Sequence, residues 1–63
     1  MNYIKIIEVA SACEVKRIQI NQCEAALGVK PGDDTWIYLH GRIAELDKEK
    51  GKLENQLRKL IEQ

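Results

Sequence analysis

The chain carries one hydrophobic seam twice, once on each side of a single break, and the two copies are in mirrored register. In the second half, Trp36, Leu39, Ile43, Leu46, Lys50, Leu53, Leu57 and Leu60 recur at alternating spacings of three and four, the pattern of a helix packed along one stripe. The first half repeats the device at Ile6, Val9, Cys13, Lys16, Ile20, Cys23 and Leu27. Between them lies Gly28-Val29-Lys30-Pro31-Gly32-Asp33-Asp34. Pro31 cannot continue a helix, because it lacks an N–H and its ring clashes with the preceding turn. Gly28 is expected to supply the left-handed residue that ends the first helix, and Asp33 or Asp34 to cap the second. If the chain doubles back there, Leu27 faces Leu39, Cys23 faces Ile43, Ile20 faces Leu46, Lys16 faces Lys50, Cys13 faces Leu53, Val9 faces Leu57 and Ile6 faces Leu60. Two unrelated amphipathic helices would share that register only by accident. The expectation is an all-α fold, an antiparallel helical hairpin in a single domain over residues 1–63. Its first helix covers about 3–27, its turn 28–34 and its second helix about 35–62.

Charges beside the seam fit this register, with Glu24 facing His40, Arg17 facing Asp47, and Ala26 leaving room near Arg42. Exposed pairs of this kind contribute roughly 0 to 1 kcal/mol each and corroborate the alignment without deciding stability. A rival reading starts the first helix at Ser11, where Ser11-Ala12-Cys13-Glu14 fits a capping box, and makes Met1 to Ala10 a short strand or separate turn. Ile6 and Val9 favour the continuous helix, since they hold the seam period across the supposed break.

Composition narrows the classes of function. The chain has 63 residues, too few for a second domain or a large catalytic cleft. One Pro, no Phe and an abundance of Lys, Glu, Leu, Ile, Ala and Gln make a helical alphabet. Ten basic and ten acidic side chains cancel, so no global field draws in nucleic acid or anionic lipid. Lys5 and Glu8 interrupt the apolar start, unlike a signal peptide, and a cytoplasmic protein without a membrane span is expected. Cys13 and Cys23 on one helix lie about 15 Å apart along its axis, too far to bond, and read as reduced, buried thiols. The single His40 has no second His or spaced Cys pair to complete a metal site, and core-facing thiols make poor nucleophiles. No enzyme, no cofactor and no metal is the expectation.

Two helices sharing one seam bury only one face each, and several apolar residues lie off it: Ile4, Ile7, Val15 and Ile18 on the first helix, Ile37, Tyr38 and Ile61 on the second. Ile4, Ile7, Val15, Ile18, Ile37 and Ile61 are therefore the candidate oligomer interface, and a two-fold dimer of hairpins forming a four-helix bundle is expected. Lys16 and Lys50 share a seam layer. They read either as lysines that extend their charges to water and fix register, or as an anion site when several come together. Trp36 is expected to cap the end of the bundle, leaving Tyr38 and Arg42 as an exposed aromatic-plus-Arg contact. Tyr38, Arg42, Lys16 and Lys50 are the candidate partner-binding residues. Gly41 and Gly51 fall off the seam, either tolerated on an exposed face or marking a close approach. The run from Asp47 to Lys52 reads as a solvated face.

In length and layout the chain resembles the small helical-hairpin proteins of plasmids and temperate phages, the repressor-of-primer-like proteins. The likeness rests on the seams Ile6 to Leu27 and Trp36 to Leu60 around Gly28-Val29-Lys30-Pro31-Gly32. It implies two hairpins paired in a four-helix bundle and a phage or plasmid accessory protein, without implying an activity. The leading expectation is a small regulatory protein that contacts itself and a larger protein partner through helix faces. The alternative is an RNA- or DNA-binding regulator using Lys16, Arg17, Gln19, Asn21 and Gln22. A helix-turn-helix reader over Val9 to Leu27 ranks last, because the heptad leaves no room for a tight turn.

Overall fold

Asn2 starts the first helix. Its side-chain Oδ1 accepts from the Lys5 backbone N–H at 3.1 Å, and its carbonyl accepts from Ile6 N–H at 3.0 Å, so two of the amides left open at a helix start are satisfied at once. The computed structural model describes residues 2–62. They form two helices, α1 (Tyr3–Gly28) and α2 (Asp33–Glu62), with no strand among the described residues. α1 runs unbroken through Ser11, so the described part of Met1 to Ala10 is neither strand nor separate turn; Met1 itself lies outside the described residues. The seam period won over the local capping pattern because Ile6 and Val9 have helix packing to gain.

The helices lie antiparallel in a rod 47 × 14 × 11 Å, an all-α helical hairpin. Val9, Ile20, Leu39 and Leu46 are buried, Leu46 completely. Ile6, Cys13, Lys16, Cys23, Leu27, Ile43, Lys50, Leu53, Leu57 and Leu60 are half-buried. Every seam position except Trp36 is thus drawn in from solvent. Trp36 is 49% exposed and does not cap the core. Continuing the register past Leu27 and Leu39 sets Trp36 against Lys30, in the turn, where no helical surface exists to receive it. Its ring rests instead on His40, with centroids 4.0 Å apart and planes at 47°.

The turn corrects two expectations. Gly28 is helical and no glycine has positive φ; the left-handed residue is Lys30, at φ 56°. Val29 N–H donates to the Ala26 carbonyl at 3.4 Å and Lys30 N–H to the Leu27 carbonyl at 3.1 Å, which satisfies carbonyls of the last turn. α2 begins at Asp33, two residues before the expected start. Trp36 N–H donates to the Gly32 carbonyl at 2.9 Å, which makes Gly32 the residue that opens the helix. Asp33 and Asp34 sit inside the first turn, where their charge suits the positive end of the dipole.

Candidate interaction surfaces

The lysine layer is neutralised by carboxylates. Lys16 Nζ lies 2.7 Å from Glu49 Oε2, an ion pair between the two helices, and Lys50 Nζ lies 3.1 Å from Glu54 Oε1 one turn along α2. The stems are drawn into the seam, the side chains being 26% and 34% exposed, while the charged ends reach its edge. A hydrogen bond from Lys16, helped by its positive charge, holds the Glu49 carboxyl below the ordinary carboxylate range. Sequence reading placed Glu49 on a solvated run and missed it as the partner of Lys16. The signal was its position, beside Lys50 and hence one residue off the layer that Lys16 occupies.

Other flank contacts also differ from expectation. Arg17 binds Glu14 within α1, its Nε donating to Glu14 Oε2 at 3.0 Å and its Nη2 pairing with Glu14 Oε1, so it does not pair with Asp47. The bond from Arg17 lowers the Glu14 carboxyl. His40 is against Trp36, and Glu24 makes no ion pair with it among the described residues. In each case a partner three or four residues away on the same helix is reached without spanning the groove.

On the flank near the turn, Gln19, Gln22 and Cys23 of α1 and Tyr38, Leu39, Arg42 and Leu46 of α2 line an open groove of about 270 Å³. Arg42 is half-buried and pairs with Glu45 at 3.2 Å, while Tyr38 is exposed at the rim. Gln19 Oε1 is buried with no hydrogen-bond partner. The structure thus joins Tyr38 and Arg42 in one groove, and leaves Lys16 and Lys50 engaged with their own carboxylates. Gln19 and Gln22, named from the sequence only as contacts for RNA or DNA, line this groove beside Tyr38 and Arg42.

The apolar residues off the seam are all exposed. Ile4, Ile7, Val15 and Ile18 fall on the side of α1 away from α2 and are between 43% and 74% exposed; Ile37 and Ile61 on α2 are exposed without forming a stripe. At 100° per residue, Ile4, Ile7, Ser11, Val15, Ile18, Gln22 and Ala25 line up along one face, its midline about 170° from the seam. No charge interrupts it. α1 is apolar on two opposite sides and α2 fills only one of them.

Both thiols are free and half-buried, less buried than expected. Among the described residues no three His, Cys, Asp or Glu side chains group as a metal site requires, and no helix is long and apolar enough to cross a membrane. Gly41 is exposed, Gly51 half-buried, and a Cβ at either position would meet nothing within 4 Å.

No protein-family model matches the chain, and no curated protein and no solved structure matches it.

Proposed function

We propose that the chain is a small non-enzymatic regulatory protein that acts as an oligomer of hairpins, two copies or more, and contacts a larger protein through its helix faces. One observation carries this reading: the exposed, charge-free apolar stripe on α1, formed by Ile4, Ile7, Val15 and Ile18. Water-exposed apolar surface of this length is costly to a lone hairpin and useful to an assembling one. The groove edged by Tyr38 and Arg42 is the place for the larger partner, since an aromatic and an arginine together make a strong contact in a desolvated interface.

Nucleic-acid binding through α1 is the weaker reading. Of the basic side chains on the polar positions assigned to it, Lys16 is held by Glu49 and Arg17 by Glu14. Binding phosphate there means breaking both pairs.

Sedimentation equilibrium from micromolar concentration upward tests the oligomer. A concentration-dependent mass above one chain is expected, and a constant monomer mass with helicity intact refutes it. Affinity capture with and without nuclease tests the partner. A protein retained after nuclease supports the reading, whereas capture lost with nuclease, together with a mobility shift on RNA or DNA that falls steeply with salt, overturns it.

A further inference from the structure

The apolar stripe of α1 is a palindrome. Ile7 and Val15 stand four residues before and after Ser11, and Ile4 and Ile18 stand seven before and after it. All five lie on the face turned from α2, and all five are exposed. We infer that this face pairs with the same face of a second copy, antiparallel and centred on Ser11, so that Ile4 meets Ile18 and Ile7 meets Val15 on both sides of a two-fold axis.

The occupant follows from the pattern. An isologous interface needs a surface that maps onto itself under a two-fold rotation, residue i meeting j and j meeting i. This stripe does so with a large branched side chain in each of its four outer places and a small one on the axis, where two helices approach most closely. Charge agrees, since the stripe carries none and the whole chain sums to zero. In this register Glu8 comes beside Ala12 of the second copy and Glu14 beside its Ala10, so no like charges oppose one another. Tyr3, also exposed, reaches toward Arg17 of the second copy. The overlap is about 21 Å long and one helix of about 10 Å wide, which suits a small interface of under about 1,200 Å² in total that dissociates on dilution.

The inference rests on the oligomeric reading above and deepens it by fixing the arrangement. A square four-helix bundle needs each helix to present its second apolar surface about a quarter-turn from the first. Here the quarter-turn flanks carry Lys16 with Glu49 and Arg42 with Glu45 on one side, and Arg17, His40 and Asp47 on the other. The apolar surface is opposite the seam instead. The four helices therefore form a row, α2 and α1 of one copy followed by α1 and α2 of the other, with both grooves at Tyr38 and Arg42 left open for a further partner.

A charge-complementation experiment tests the pairing. Ile7→Lys and Val15→Glu are made as separate full-length chains, checked for helicity by circular dichroism, and followed by sedimentation alone and as an equal mixture. Each variant alone is expected to self-associate at least about tenfold more weakly than the unaltered chain. The mixture is expected to recover a dimer, because the new ammonium and carboxylate then face each other at one contact while Val15 meets Ile7 at the other. A parallel pairing places position 7 against position 7 and allows no such recovery. The exchanged pair, Ile7→Glu with Val15→Lys, repeats the test if either first variant loses helicity. Variants that stay dimeric alone overturn the assignment of this face, and helical monomers that do not recover on mixing overturn the antiparallel register; either result leaves the oligomeric reading standing. An unaltered chain that is monomeric throughout overturns both.

Discussion

The hairpin turn has its glycine two residues too early, and moving it gives a sharp test of the fold. Gly28 occupies a helical position with no positive φ, and an added Cβ would meet nothing within 4 Å. Gly28→Ala therefore removes the entropic cost of a helical glycine without a clash, about 0.5 to 1 kcal/mol at the last helical position. Lys30 is the residue that does turn left-handed, at φ 56°, a conformation that costs a residue with a Cβ about 1 to 2 kcal/mol. Lys30→Gly relieves that cost but frees the unfolded chain by about 0.4 to 1 kcal/mol, leaving a net gain of about 0.5 to 1. The double variant should gain about 1 to 2 kcal/mol, and at about 4 to 8 °C per kcal/mol for a domain of this size its Tm rises by about 4 to 16 °C. Thermal and urea unfolding followed by circular dichroism at one fixed chain concentration measures the change, since self-association would shift the midpoint. A destabilised Gly28→Ala is the refuting result. It would mean that Gly28 needs positive φ in solution and that α1 ends there, as the sequence alone suggests.

Leu46→Ala truncates a completely buried side chain and should cost about 2 to 5 kcal/mol, enough in so small a core to remove most of the helical signal at room temperature; a well-folded variant would place the core elsewhere. Lys16→Leu with Lys50→Leu exchanges two solvent-screened ion pairs for apolar seam contact, and should leave stability equal or higher by about 1 kcal/mol in urea titration. A clear loss would show that Glu49 holds the helices together rather than only in register. Acid unfolding checks the same pair by sign: the folded Glu49 and Glu14 carboxyls are lowered, so their contribution is present above the ordinary carboxylate range and fades as pH falls through their lowered values. The urea midpoint should fall in that acidic window, less so in Glu49→Gln, and an unchanged pH dependence in Glu49→Gln would remove Glu49 from the explanation.

The seam was legible in the sequence because a helix pair repeats its contacts every three or four residues, and the pattern mirrored about Asp33, beside the break at Pro31, leaves one way to close the chain. The depth of burial along it departs from expectation at Cys13 and Cys23, which are only half-buried, and at Trp36, whose counterpart falls in the turn. The turn itself was misread for a physical reason. Glycine prefers the left-handed conformation but does not command it, and here Leu27 stays helical far enough to meet Leu39, which carries the reversal past Gly28 to Lys30. The flank charges were misread for another. Facing residues across a groove compete with partners on the same helix, and Glu14 and Glu45 lie three residues from Arg17 and Arg42. Among the described residues only Lys16, whose stem is held in the seam, makes a cross-helix pair. Of the groove only the α2 side, Tyr38 and Arg42, was legible; the α1 side depends on which short and long side chains the register brings up to them at Gln19 and Cys23.

The two helices do different work, and their outer faces show it. The outward face of α2 carries Gly41, Ala44, Lys48, Lys52, Asn55 and Lys59, all exposed, with Ile37 as its one large apolar residue. Three lysines and an amide keep that face in water, so α2 is suited to the outside of any assembly. The outward face of α1, from Ile4 to Ala25, holds four large aliphatic side chains and no charge. A helix whose only task was to cover α2 would gain solubility from polar residues there, as α2 has done. Its two opposed apolar stripes suit the proposed dimer, one packed on α2 along Val9, Ile20 and their neighbours and the other, along Ile7 and Val15, open to solvent in the single hairpin. In the proposed dimer the ion pairs within one hairpin occupy the flanks, and the back of α1 is the apolar face left for the second copy.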